Sequence, residues 1–235
     1  DSLEGFLDVR RRVYAVRAVY DAVAARVREV SDSMPHLRNA TARQEASWTL
    51  GVGAWILERN AEALAALREA AASPACAYAR RRAALACGQA AEAAAAFASA
   101  RAEGTDGAAL ELGRVEAMLA QGTIEEAREE LQRLRPAHDG RGEYHYLWGL
   151  LHEALRDEAK ATESFERAAQ IDSAHARALF HLGRLLDQRG EDERALETYE
   201  RIAALRPTFR NALVNLGILY EDRGEYERAL DCYRR

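Results

Sequence analysis

The chain has 235 residues, 49% of them apolar and 30% charged, a balance suited to a protein with a continuous core. No run of about 18 apolar residues occurs, which excludes a membrane-spanning helix, and no basic start followed by an apolar stretch marks a secretion signal, so the expected setting is the cytoplasm. The net charge is −5 and Lys160 is the sole lysine, which argues against a nucleic-acid surface on this segment and for ordinary solvated arginines at Arg10-Arg11-Arg12 and Arg80-Arg81-Arg82.

Residues 1–43 read as an N-terminal helix and linker. Phe6, Val9, Val13, Val16, Tyr20, Val23, Val27 and Val30 form one stripe, predicting a single amphipathic helix over 3–30 that Ser31 to Pro35 break. Two roles fit such a stripe: a cap on the end of a repeat array, or a seam for self-association.

From residue 44 onward the chain repeats. Units start near 44, 74, 108, 142, 176 and 210, and the sixth is cut inside its second helix at Arg235. The first carries Leu50-Gly51, Ala63, Leu67 and Ala70, and stands 30 rather than 34 residues before the next, so a turn of helix or some loop is missing. The second carries Gly88, Ala93, Phe97 and Ala100. The third carries Gly122, Ala127, Leu131 and Leu134, with Val115 where glycine is usual. The fourth has Trp148-Gly149, Ala161, Phe165 and Ala168, with Arg156 at the turn. The fifth has Leu182-Gly183, Gly190, Ala195 and Tyr199, and the sixth Leu216-Gly217, Gly224, Ala229 and Tyr233. A fixed period of this size marks stacked helical hairpins.

The spacing has a physical cause. Leu179, Leu182 and Leu186, then Ala195, Tyr199 and Ile202, place apolar faces on two successive helices. Gly190 supplies the left-handed residue that closes the first helix. Small Gly183 and Ala195 let the helices approach, and Tyr199 fills the wedge between them. Pro207 stops the second helix, and Thr208 is the expected cap of the next.

These residues resemble the tetratricopeptide repeat family. The resemblance implies an all-α fold, a right-handed superhelical solenoid of antiparallel helix hairpins, in which the first helix of each hairpin lines a concave groove. On that register the groove-facing residues of the last two units are Arg177, Phe180, His181, Arg184 and Asp187, then Asn211, Val214, Asn215, Ile218 and Asp222. Asn211 and Asn215 can bond a peptide backbone and Arg184 can grip a carboxylate. This is similar to half of the carboxylate-gripping arrangement of some family members, without its lysines. Trp48, Trp55 and Tyr78 share a face near the other end and are expected to pack.

No constellation for chemistry emerges, so no enzyme, cofactor or metal is expected. There is no phosphate-cradling GxxxxGK[ST] and no HExxH. His145 and His152 share a helix face without a third ligand and fall at packing positions. Cys76, Cys87 and Cys232 form no CxxC pair and read as buried reduced thiols. Glu163 with Arg167 and Glu197 with Arg201 read as surface pairs one turn apart.

The expected function is a non-enzymatic scaffold that holds a protein or peptide in its groove, with no direct nucleic-acid contact and no membrane. The run Arg177 to Arg235 also resembles the repeat arm of bacterial proteins that continue into a domain similar to the C-terminal domain of the RNA polymerase alpha chain, which implies a transcription-linked role with the DNA-binding part beyond Arg235. Two alternatives stand beside it. One is the substrate-recruiting arm of an enzyme whose catalytic domain lies outside this chain. The other is self-association, as a homodimer through the N-terminal helix or through a C-terminal end where Leu216, Leu219 and Leu230 lack cover.

Overall fold

A computed structural model describes residues 13, 16–70, 74–91, 93 and 107–235. Among these, the regular structure is twelve α-helices and one short 3-10 helix, with no strand. Phe6, Val9, Arg10-Arg11-Arg12, Phe97 and Ala100 lie outside the described residues. The chain divides into two compact units, residues 1–121 and 122–235.

The first unit holds α1 (Arg17–Ser33), α2 (Ala40–Ile56), α3 (Asn60–Glu69), α4 (Pro74–Ala86) and α5 (Ala108–Gln121). The expected single helix over 3–30 does not form: Val16 is extended (φ −127°, ψ 106°) and α1 begins after it. The helix lies on α2 through a small-residue gap, since a β-carbon on Gly53 would stand 2.3 Å from Val27 Cγ2. Val27 and Val30 are buried, whereas Val16 and Val19 are exposed. The Asn39 side chain caps α2 by accepting from the Thr41 N–H at 2.8 Å. Helix α3 has 10 residues, against 14 or 15 in the second helices of the third, fourth and fifth units, so the shortened unit lacks a turn of its second helix. Trp55 and Tyr78 meet edge-on, 6.2 Å between centroids, inside the core, as their expected packing role requires.

The second unit holds α6 (Ile124–His138), α7 (Gly142–Ala154), α8 (Glu158–Ile171), α9 (Ala176–Gln188), α10 (Asp192–Leu205), α11 (Arg210–Asp222) and α12 (Tyr226–Arg234). Successive helices pack on one another, α7 on α8, α8 on α9, and so on to α12, which makes a stack of antiparallel hairpins. Each of the last three hairpins closes on the same contact. Gly149 faces Phe165, Gly183 faces Tyr199 and Gly217 faces Tyr233, each so closely that a β-carbon would meet the ring at 3.0 Å or less. Phe165 and Tyr199 are fully buried there. Helices α9 and α11 end at Gly190 (φ +72°) and Gly224 (φ +74°), and Arg156 takes the same left-handed turn at φ +61° after α7.

Two expectations about helix ends change. Helix α10 stops at Leu205 before Pro207, but the cap of α11 is Phe209, which offers no oxygen side chain; Thr208 stays outside. Leu216 and Leu219 are buried rather than uncovered, and the exposed apolar side chains at this end are Tyr226, Leu230 and Tyr233 of α12.

Candidate functional site

The first helices of the last hairpins, α7, α9 and α11, carry the residues expected to face a groove. Helical spacing puts Arg177, Phe180, His181 and Arg184 on one face of α9, and Asn211, Asn215 and Ile218 on one face of α11. The two faces meet over the Tyr199 hydroxyl. Asn215 Nδ2 donates to it at 2.9 Å, and the charges of Asp187 and Arg184 both act on it. Burial is the main reason the Tyr199 hydroxyl is pushed up to about 12, so it stays protonated and serves as a neutral floor. Phe180 packs on Tyr199 and on Phe209, with centroids 6.2 and 5.3 Å away.

The cations of α9 are engaged by two glutamates of α7 that the sequence pattern does not single out. Arg177 donates to Glu143 at 2.6 Å and lies over the Tyr146 ring, 4.6 Å from its centroid. His175 Nε2 pairs with the other Glu143 oxygen at 2.9 Å. Glu153 takes both Arg184 and His181 Nδ1, the latter at 2.7 Å, while the His181 ring stacks on Phe165. Arg184, expected to grip a partner's carboxylate, is therefore already gripping one of the protein's own. A readable signal existed: Glu143 and Arg177 stand one 34-residue step apart, at the same position of successive repeats.

What remains open on these two faces is largely apolar and acidic. Val214 and Ile218, one turn apart on α11, are 47% and 46% exposed in the middle of a packed helix. Asn211 is exposed beside them, whereas Asn215 is held by Tyr199. Among the described residues, Asp187 and Asp222 make no ion pair. Burial, and next the charges of Asp192 and Asp222, push the Asp187 carboxyl above its usual range. Glu221 lies at the same end and accepts from the Tyr233 hydroxyl at 3.0 Å.

A second concavity of about 820 Å³ opens between α6, α7 and α8. His145 and His152, expected in the interior, line it. His145 Nε2 meets the Asp139 carbonyl at 2.7 Å, and His152 stacks on Trp148 at 5.6 Å, where burial lowers its basicity. Among the described residues no group of three His, Cys, Asp or Glu could hold a metal ion, and no helix is long and apolar enough to cross a membrane. Cys76 and Cys232 are buried thiols in no disulfide, but Cys87 is exposed. Arg82 is not a solvated charge: it pairs with Glu116, and both side chains are 12% exposed. The expected one-turn pairs are replaced by other partners, Arg167 reaching Gln170 and Arg201 reaching the Ser173 carbonyl.

Comparison with known proteins adds the family. Tetratricopeptide repeat models match residues 84–151 and 154–208, and a second such model matches 212–235. No curated protein matches the chain. Among solved structures, a thermophilic TPR protein of Thermus thermophilus is 21% identical over 80% of this chain and 98% of its own, with a TM-score of 0.59. The APC/C hetero-tetramer Cut9–Hcn1 matches at 14% identity, TM-score 0.58, over 91% of this chain and 42% of its own. MamA matches at 22% identity and TM-score 0.49, over 64% and 88%. At these identities the first two share the fold.

Proposed function

The chain belongs to the tetratricopeptide repeat family, and on that premise we propose that it is a non-enzymatic interaction scaffold that binds a protein or peptide segment along α9 and α11. The observation that carries this reading is the half-exposure of Val214 and Ile218, framed by Asn211 and flanked by the aromatic floor of Phe180 and Tyr199. Apolar side chains left open in the centre of a polar groove are the usual anchors of a binding surface. Arg177, His181 and Arg184 act in this reading as a rigid wall, held by Glu143 and Glu153, and Asn215 as a brace on Tyr199. A cytoplasmic setting accords with three cysteines that form no disulfide. The link to transcription rests on the resemblance of the Arg177–Arg235 run alone.

The test is an affinity capture comparing wild type with Val214→Asp/Ile218→Asp, with helicity checked by circular dichroism. Loss of a partner by the folded variant supports the groove. Retention at wild-type level moves the site elsewhere.

Self-association is a second reading, favoured by Tyr226, Leu230 and Tyr233 exposed along one face of α12. Mass measured by sedimentation at rising concentration decides it, and a monomer throughout removes it.

A further inference from the structure

We propose that the occupant of this groove is an amphipathic segment of another protein that carries two apolar side chains one helical turn apart, followed one turn later by lysine or arginine. The inference rests on the groove reading and adds the chemistry of the partner.

Three positions of α11 carry it. Val214, Ile218 and Asp222 follow one another at intervals of four residues, so they align along one face, about 6 Å apart. The first two are half-exposed and the third is exposed. Asp187 of α9 stands close enough to Asp222 for their charges to act on each other. Both carboxylates lack an ion pair among the described residues, in a groove where the neighbouring charges are matched: Arg177 by Glu143, and Arg184 by Glu153. Glu221 adds a further acid at the same end. Of the two cations on this helix, Arg210 lies at its opposite end, three turns away, and Arg223, which caps it beside Asp222, is engaged by Glu193 at 3.3 Å. The groove thus offers apolar contact along its centre and unmatched negative charge at one end. A partner cation there would relieve the repulsion between Asp187 and Asp222, while a partner carboxylate would add to it. This is the reverse of a groove that grips a terminal carboxylate.

The test is a selection of phage-displayed random dodecapeptides on the full chain, followed by fluorescence anisotropy with the enriched peptides. The expected peptides combine paired apolar residues with Lys or Arg. Their affinity falls about tenfold on Asp187→Asn/Asp222→Asn, falls with added salt, and is lost on Val214→Ser/Ile218→Ser. Among the described residues the Asp→Asn pair removes no side-chain hydrogen bond or ion pair, so the fold is expected to be retained, and circular dichroism checks this. Peptides that need Val214 and Ile218 but are acidic, or indifferent to the two aspartates, overturn the charge assignment and leave the scaffold reading standing. Peptides indifferent to Val214 and Ile218, or no enrichment at all, overturn both.

Discussion

Arg156 turns through φ +61° at the place where Gly190 and Gly224 end the first helices of the next two hairpins. A side chain in that region is strained by about 1–2 kcal/mol, and glycine is not, although glycine gives back part of the gain through a looser unfolded chain. Arg156→Gly is therefore expected to raise stability, by up to about 1 kcal/mol, and Gly190→Ala to lower it by about 1 kcal/mol, both read from urea unfolding. Asp187 gives a prediction in pH. Its carboxyl is raised above the ordinary 3.8 by burial and by Asp192 and Asp222. The fold therefore tolerates the neutral acid better than the carboxylate, and stability is lost as pH climbs through the raised value. Asp187→Asn should match wild type near about pH 3 and be slightly more stable near about pH 7, the gap being small because water screens an exposed group. A gap of the opposite sign would mean that Asp187 has a partner.

Hairpins are the next scale, and each of the last three is locked by a glycine against a large side chain. A leucine at Gly149 would collide with Phe165, which is fully buried and has nowhere to turn; a leucine at Gly217 would collide with Tyr233, which is 45% exposed and can swing outward. Both should destabilise by about 1–3 kcal/mol, with Gly149→Leu the larger, in thermal melts of the two variants. This lock was legible in the sequence because it depends on residue size at fixed spacing, and Gly183 with Tyr199 repeats in Gly217 with Tyr233. The helix starts were less legible. Phe209 rather than Thr208 sits at the cap of α11, since the packing of Phe209 on Phe180 decides where the chain turns. The break at Val16 was hidden for a related reason: a continuous valine stripe satisfies helical periodicity whether or not the backbone stays helical.

Across the second unit, the apolar register was readable within each repeat, whereas the charge register shows only when successive repeats are set side by side. Glu143 and Glu153 look like ordinary helix acids until Arg177 and Arg184 are set beside them, because partners 34 and 31 residues away share no local pattern. The same holds on the second helices, where Arg194 reaches Glu166 and Arg228 reaches Glu200. Such stacks are held by neighbours alone, so stability should grade along them. Amide hydrogen exchange is expected to be faster in α12, where Tyr226, Leu230 and Tyr233 stand exposed, than from α7 to α10; uniform protection would contradict this. The glycine locks also bear on how the chain reaches its fold. Gly149 meets Phe165, Gly183 meets Tyr199 and Gly217 meets Tyr233 across the same short span of chain. Closing a loop that short costs little entropy, and no distant segment has to arrive first. Each hairpin can thus assemble as soon as the ribosome releases it, and the next one finds a finished surface waiting.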